Sequence, residues 1–177
     1  AGTKANAILE NCYGRLVQYG YRAGGISFLI DSSGFETNTI PDGWIWQDLG
    51  NYYGAGSGVM NWRENQFDIS LKSGDVPGMK TELISFNDSK EFLTPFVNEV
   101  KSAAKGTGDN AYIYLPLSNG DYRIRGSIPA GETDFKISGA VFNGAEYMVS
   151  DFGKLIAQKN KTKLSSNTMY VYGNIPD

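Results

Sequence analysis

The first part of the chain carries apolar residues at helical spacing. They recur every three or four positions, as Ala5, Ile8, Leu9, Cys12 and Leu16. Polar side chains fill the other side of this period, which predicts an amphipathic helix over residues 1–22. Thr3 is a suitable cap for the first turn, and Gly20 is a suitable stop. Cys12 lies in the middle of the apolar stripe, so we expect it to be buried and unreactive.

Residues 66–72 alternate instead between apolar and polar side chains. Phe67, Ile69 and Leu71 fall on one face of an extended chain, which predicts a half-buried β-strand. A second alternating stretch, AYIYLPLSNGDYRIRGS, has Asn119–Gly120 between its two halves. An Asn-Gly pair in that position predicts a β-hairpin with a two-residue type I′ turn.

Three further kinds of segment complete the pattern. Thr94–Pro95 fits the start of a second helix, which Gly106 would end. Short strands are predicted in TDFKISGAVF, EYMVS and TMYVYGNIP, and a short helix in SDFGKLIAQKN. Residues 24–62 show no helical period and include a long connector rich in glycine and aromatic residues.

Together these elements predict an α+β fold. We expect a single globular domain over 1–177, in which an N-terminal amphipathic helix (1–22) packs on an antiparallel β-sheet. An irregular region (24–65) follows the helix. The sheet occupies 66–177 and is interrupted by the second helix near 90–105.

Composition narrows the function. The 177 residues carry a net charge of −3 with scattered lysines and arginines, which argues against nucleic acid as the main partner. No stretch reaches the roughly 20 apolar residues that cross a bilayer, and no signal peptide is visible, so we expect the chain as given to be soluble. The 22 glycines are typical of a loop-rich β protein in an extracellular setting.

The sequence contains no histidine and only one cysteine. The missing histidine excludes Ser-His-Asp and Cys-His mechanisms and histidine-ligated zinc. A single cysteine forms no internal disulfide and no thiolate metal cluster. We therefore predict that the protein is not an enzyme and that it has no catalytic residues, cofactor or metal.

Three local motifs could carry chemistry, and each also has a plainer interpretation. NCYGRLVQYGYRAGG is similar to the nucleophile segment of NlpC/P60 cysteine peptidases, but without histidine a buried Cys12 is favoured. YGAGSG at 53–58 is rich in glycine but lacks the Lys-Ser/Thr ending of a P-loop, so we interpret it as a flexible loop. The acidic residues of GDNAY and NGDY are more typical of turns than of a calcium loop.

Five aromatic residues form a cluster in the sequence: Trp44, Trp46, Tyr52, Tyr53 and Trp62. Their rings could stack on sugars. The favoured alternative is that they fill the gap between the helix and the edge of the sheet.

The order of these features resembles that of type IV pilins, particularly the type IVb branch. TKANAILENCYGRLVQYGY is similar to the second half of the long pilin helix, and TIPDGWIWQDLGNYYGAGSGVM to the irregular αβ-loop. FDISLKSGDVPG is similar to a pilin strand that ends in a Val-Pro turn. The similarity covers roughly the first half of the chain. Pilins usually close their C-terminal region with a disulfide, which Cys12 alone does not provide.

The resemblance implies a structural subunit of an extracellular type IV pilus or related filament on a bacterial surface, supporting adhesion, aggregation or transfer of DNA. Its partners would be copies of itself or other pilins, together with a surface receptor, and it would touch the membrane only through a segment absent from this chain. The contacts between subunits would come from the exposed side of the helix and from the αβ-loop: Arg15, Gln18, Trp44, Trp46, Tyr52 and Tyr53.

Two other functions stay open at the level of the sequence. The first is a β-rich secreted binding module, such as a glycan-binding adhesin or lectin. The second, more remote, is an inactive relative of the cysteine hydrolases.

Overall fold

The computed structural model describes residues 2–23, 26–31, 35, 39–87, 96–116, 120–162 and 170–172. The chain forms two compact units, each built from separate stretches of sequence. Unit 1 comprises Ala1–Thr39, Ser57–Glu64 and Asn143–Asp177, and unit 2 comprises Ile40–Gly56 and Asn65–Phe142. Among the described residues, no helix is both long enough and apolar enough to cross a membrane.

Unit 1 contains two long helices and a short parallel strand pair. Helix α1 spans Gly2–Gln18, and helix α3 spans Gly144–Asn160. Strand β1 (Phe28–Ile30) pairs in parallel with strand β9 (Tyr170–Tyr172). Helix α3 begins where the Asn143 side chain accepts a hydrogen bond from the Glu146 backbone N–H, which satisfies one of the free donors of the first turn.

Helix α1 packs against helix α3 through its partly apolar face. Ala5 and Leu9 are buried on that helix. At the polar margin, the Tyr13 hydroxyl donates to Asn160 Oδ1 at 3.2 Å, and Lys159 Nζ lies 2.9 Å from Glu10 Oε2. A small apolar core elsewhere in the unit joins β1 to α3 through Ile30, Ala145 and Val149.

Unit 2 contains a three-stranded antiparallel sheet with the order β3-β2-β8. Its strands are β2 (Gln66–Lys72), β3 (Glu82–Asn87) and β8 (Phe135–Ala140). The central position of β2 explains its alternation, because Phe67, Ile69 and Leu71 are almost fully buried. The predicted strand and its buried face are both confirmed.

The second sheet of unit 2 is mixed. Strand β7 (Tyr122–Pro129) pairs in parallel with β4 (Phe96–Asn98) and with β5 (Lys101–Ala103). On its other edge β7 pairs antiparallel with β6 (Asn110–Tyr114). The main core of the unit draws side chains from both sheets: Phe67, Ile69, Leu71, Val100, Ala111, Ile113, Ile124, Ile128 and Ile137.

The predicted α+β arrangement of a helix packed on an antiparallel sheet is wrong. Helix α1 lies against α3, and the sheet that contains β7 is mixed because β4 and β5 run parallel to it. The second helix expected near 90–105 is also wrong where the structure describes it. The segment from Phe96 to Ala103 forms two strands, which satisfy their backbone groups on β7.

Two further predictions change at the ends of helices and turns. EYMVS belongs to helix α3 and is not a strand. The β6–β7 hairpin is confirmed, but a two-residue turn at Asn119–Gly120 would align Tyr114 with Arg125 along a regular ladder. The structure pairs Tyr114 with Arg123, and residues 117–119 lie outside the described residues.

The apolar stripe of α1 is narrower than its sequence indicates. Ile8 is 52% exposed, and Cys12 is a free cysteine of intermediate exposure. The expectation that Cys12 is fully buried is therefore wrong, because the side of α1 that packs centres on Ala5 and Leu9.

Candidate functional site

The outward side of the β6–β7 hairpin is rich in aromatic and arginine side chains. Successive residues of a strand point to opposite faces, and Ile113 and Ile124 are buried in the core. Their neighbours Tyr112, Tyr114, Arg123 and Arg125 therefore share the outward face. With nearby side chains they form a surface that we call the aromatic–arginine face: Trp46, Tyr52, Tyr53, Glu99, Tyr112, Tyr114, Arg123 and Arg125.

The rings of this face contact one another in pairs. Trp46, on the short helix α2 (Trp46–Leu49), lies with its ring centroid 4.9 Å from that of Tyr114. Its indole N–H donates to the backbone oxygen of Leu115 at 3.2 Å. Tyr52 and Tyr53 meet edge to face at 5.3 Å. These contacts fix the orientation of Trp46 and leave Tyr52 about half exposed.

Glu99 organises the arginine end of the face. Its two carboxylate oxygens accept hydrogen bonds from Arg123 Nη1 at 2.5 Å and Arg125 Nε at 2.6 Å. The Arg125 guanidinium also lies 5.6 Å from the ring centroid of Tyr114, within the range of a cation–π contact. The hydrogen bond from Arg125 and the charges of both arginines lower the pKa of Glu99. Two arginines against one glutamate leave one positive charge at this end.

The opposite end of the face carries tyrosines beside acidic groups. Partial burial is the main cause that raises the pKa of Tyr53, and the charges of Asp48 and Asp109 raise it further. The Tyr53 hydroxyl therefore stays protonated and can donate a hydrogen bond at neutral pH. The Asn51 side chain accepts a hydrogen bond from the Ile113 N–H at 2.9 Å, which places the segment that carries Tyr53 beside the hairpin.

A buried polar cluster lies in unit 1, around Asp151 of helix α3. One carboxylate oxygen of Asp151 accepts a hydrogen bond from Trp62 Nε1 and another from Arg63 Nε, both at 2.8 Å. Arg63 Nη2 also donates to Asn6 Oδ1 at 3.2 Å. The carboxylate is already occupied by two donors, so this cluster has the chemistry of a structural ion pair.

Two buried serines form hydrogen bonds with the backbone in unit 2. Ser102 Oγ, on β5, accepts from the Gly74 N–H at 3.0 Å and donates to the Met79 oxygen at 3.3 Å. Ser73 Oγ donates to the Pro129 oxygen at 2.6 Å and accepts from the Glu132 N–H at 2.9 Å. Both hydroxyls connect loops to strands.

A polar cleft of about 330 Å³ opens on the three-stranded sheet. Its lining includes Asp68, Ser70, Ser85, Asp134 and Lys136. The Ser138 hydroxyl donates to Asp68 Oδ1 at 2.6 Å beside it. Across the described parts of the chain, no group of three or more histidine, cysteine or acidic residues could hold a metal ion.

The structure brings together three of the six contact residues predicted from the sequence. Trp46, Tyr52 and Tyr53 belong to the aromatic–arginine face, and Trp44 is exposed two residues before helix α2. Arg15 and Gln18 are exposed on α1, in the other unit. Trp62, the fifth aromatic residue of the sequence cluster, is not part of this face. It is buried in unit 1 and hydrogen-bonded to Asp151.

Sequence reasoning missed the hairpin part of this face. The alternation of YIY and YRIR contained the signal, because residues between buried isoleucines must point outward. Glu99 gave no such signal, since its role depends on the parallel pairing of β4 with β7.

The comparison with solved structures finds a penicillin-binding protein. Penicillin-binding protein 4 (dacB) from Haemophilus influenzae matches with a TM-score of 0.59 and 19% identity, over 85% of this chain and 32% of that chain. A second structure of that protein, complexed with a novel β-lactam, matches with a TM-score of 0.41 and 16% identity, over 66% and 26% of the two chains. The first match shows a shared fold. This chain spans about a third of the length of that relative.

A family model assigns the chain more narrowly. The model of the D-Ala-D-Ala carboxypeptidase 3 (S13) family matches residues 7–171. The match covers most of the sequence, so the chain belongs to this family of peptidases.

Family membership overturns the pilin resemblance and what it implied. The filament function and the pilin partners are wrong, and so are the adhesin and lectin alternatives, because the chain is a member of a carboxypeptidase family. The prediction that the protein is not an enzyme is wrong for the same reason. The missing histidine excluded only histidine-dependent mechanisms, whereas penicillin-binding proteins combine a nucleophilic serine with a lysine.

The signature motifs of penicillin-binding proteins are S-x-x-K, S-D-N and K-T-G. Neither S-D-N nor K-T-G occurs in the 177 residues, and S-x-x-K occurs once, from Ser102 to Lys105. A spacing of three places two side chains on one side of a helix but on opposite sides of an extended strand. Ser102 lies on a strand, is 4% exposed and has its hydroxyl bound to backbone groups. This motif therefore does not form a serine–lysine pair of the catalytic kind.

Proposed function

We propose that the protein is a D-Ala-D-Ala carboxypeptidase that trims the peptide stems of peptidoglycan. The match of the family model over residues 7–171 carries this proposal. The fold shared with penicillin-binding protein 4 supports it. Peptidoglycan lies outside the cytoplasmic membrane, so the proposed location is extracytoplasmic.

Within that enzyme, we assign the described residues a supporting role around the reaction. Ser102 of the single S-x-x-K sequence lies on β5 with its hydroxyl bound to backbone groups, and the chain spans about a third of the relative's length. The nucleophilic serine is accordingly proposed to be a residue other than Ser102. The exposed groups of unit 2 are then available for contacts with the polymer that carries the substrate peptide.

The activity is tested on the full-length protein with a soluble peptide that ends in D-Ala-D-Ala. We expect release of D-alanine and covalent labelling by a fluorescent β-lactam. A full-length protein that shows neither would contradict the proposal.

The role of Ser102 is tested in the same assay with Ser102→Ala. We expect undiminished β-lactam labelling per folded molecule, because the hydroxyl is buried in backbone hydrogen bonds. Ser73→Ala is the matched control, since it also removes a buried serine hydroxyl with two backbone partners. Loss of labelling in Ser102→Ala alone, with an unchanged melting temperature, would identify Ser102 as the nucleophile.

A further inference from the structure

We propose that the aromatic–arginine face binds the glycan strand of peptidoglycan and holds the polymer while its peptide stems are trimmed. This inference rests on the proposed function, because it assigns a contact for the polymer to which the substrate peptide is attached. It concerns only unit 2, which contains every residue of the face.

The exposed rings of Tyr52 and Tyr53 have the shape and chemistry to contact a sugar. Tyr52 is 55% exposed and Tyr53 is 49% exposed, although they contact each other. They follow Asn51, whose side chain accepts a hydrogen bond from the hairpin residue Ile113 at 2.9 Å. Aromatic rings offer a flat apolar surface that suits the C–H face of a sugar ring, and tyrosine adds a hydroxyl at its tip. Sugar hydroxyls can pair with that hydroxyl and with arginine N–H groups. The face therefore offers apolar surface for the C–H face of a pyranose ring and hydrogen-bonding groups for its hydroxyls.

Internal contacts hold the side chains of the face in place. Trp46 is fixed by its hydrogen bond to Leu115 and by the ring of Tyr114. Arg123 and Arg125 are held by Glu99. Side chains that are ordered before binding lose less conformational freedom when a ligand arrives.

The two ends of the face differ in charge. The arginine end carries one net positive charge in a chain whose net charge is −3. The arginine N–H groups at this end can donate to the hydroxyl and amide oxygens of a glycan strand, and the positive charge also tolerates the carboxylates of the peptide stems attached to it. Asp48 and Asp109 act on Tyr53 at the other end, so the face lacks the continuous positive charge that a phosphate backbone requires.

A protein partner would use many of the same residue types, since tyrosine, tryptophan and arginine are enriched in protein interfaces. The glycan strand is favoured because the family acts on D-Ala-D-Ala peptides, which are linked to that polymer. The experiment below separates the two occupants by using purified glycan as the probe.

The test is co-sedimentation of the full-length protein with purified sacculi and with glycan strands stripped of their peptides. We expect Tyr52→Ala combined with Tyr53→Ala to weaken binding to both probes about tenfold, the usual scale for removing central aromatic contacts. The double Tyr→Phe variant keeps the rings but loses the hydroxyls, so it should bind more weakly than the wild type and more tightly than the double alanine variant. Tyr19→Ala is the matched control, because Tyr19 is 86% exposed in unit 1.

Release of D-alanine from a soluble peptide is measured on the same variants. We expect it to be unchanged, because a short peptide brings no glycan to the face. If the wild type releases no D-alanine, the proposed function fails, while the sedimentation result still decides whether the face binds glycan.

Three outcomes would overturn the inference. One is unchanged sedimentation of the double alanine variant with a wild-type melting temperature, and another is an equal loss in Tyr19→Ala. The third is binding to intact sacculi but not to stripped strands, which would assign the face to peptide stems or to a sacculus-bound protein.

Discussion

Asp151 shows how a single buried carboxylate supports three segments of unit 1. It lies on helix α3 and accepts from Trp62 and Arg63, and Arg63 in turn reaches Asn6 on helix α1. Both Asp151 and Trp62 are buried. A charge in this position is tolerated because donors surround it.

Replacing Asp151 with alanine should therefore lower the free energy of unfolding by about 3 kcal/mol, because Arg63 and the Trp62 N–H lose their acceptor. Chemical denaturation measures this loss. Glu10→Ala removes the more exposed ion pair with Lys159 and should cost less than about 1 kcal/mol. Equal losses of unfolding free energy in the two variants would show that the buried Asp151 cluster stabilises the protein no more than an exposed ion pair does.

Tyr122 provides a residue whose protonation is coupled to folding. Burial raises the pKa of its hydroxyl above the ordinary value of 10.0, and its ring lies 5.0 Å from that of Phe96. A raised pKa in the folded state means that the stabilising contribution is complete below the pKa of the unfolded chain. It is lost as the pH rises through the pKa of the folded state.

We therefore expect Tyr122→Phe to change the free energy of unfolding little at pH 7 and to reduce its decline above about pH 10. Denaturation curves of the two proteins across this range measure the difference. Parallel pH profiles of the wild type and the variant would contradict the assignment.

At the scale of elements, two glycines have opposite requirements. A Cβ atom at Gly50 would overlap the backbone oxygen of Ile113, whereas a Cβ at Gly14 in helix α1 meets nothing within 4 Å. Gly50 therefore marks a close approach of the segment after α2 to strand β6. Gly14 only adds flexibility to its helix.

Gly14→Ala should raise the free energy of unfolding by about 0.5–1 kcal/mol, the ordinary difference between glycine and alanine within a helix. Gly50→Ala should lower it by about 1–3 kcal/mol, because a backbone must move to admit the methyl group. Thermal unfolding of the pair provides the comparison. A stabilising Gly50→Ala would show that the approach to Ile113 is not a constraint.

The sequence predicted an element best where its hydrophobic period matched a face that is buried along the element. Helix α1 and strand β2 follow their periods, and the alternation of β6 and β7 predicted their hairpin. The segment at 94–105 failed because Pro95 and Gly106 mimic helix boundaries, whereas parallel pairing with β7 decides the backbone of Phe96–Asn98. Long-range pairing of this kind leaves no trace in a local window.

Helix α3 failed for a different reason. EYMVS is rich in residues that favour strands, and it hides the start of the helix. The spacing of Asn143 and Glu146 is that of a capping box, and the structure shows the Asn143 side chain accepting from the Glu146 N–H. That spacing could have identified the helix from the sequence.

At the scale of the whole molecule, function was the part least accessible to local patterns. Trp46, Tyr52 and Tyr53 were predicted as contacts between pilus subunits, a function that family membership contradicts. The structure shows all three exposed, at the aromatic–arginine face. Their partners on the hairpin come from residues more than 50 positions away. Family membership comes from a match that extends over residues 7–171, and no single motif recognised in this sequence indicated it.

The threading of the chain through its two units also sets an order of events when the protein is made. Every strand partner of β2 and β7 in unit 2 has appeared once Phe142 emerges. Helix α1 emerges before unit 2, yet its partner α3 begins only at Gly144. During synthesis, unit 2 can therefore fold while the side of α1 that bears Leu9 is still exposed to solvent.

Ribosome-bound chains that expose residues up to Phe142 should consequently resist limited proteolysis within β2 (66–72) and β7 (122–129), and be cut within residues 2–23. Chains that expose residues up to Thr162 should resist cleavage in both places. Equal protection of α1 in the shorter chains would disprove this order. If the order holds, the interval between Phe142 and Asn160 is the time in which a chaperone that recognises exposed apolar helices has its opportunity to bind.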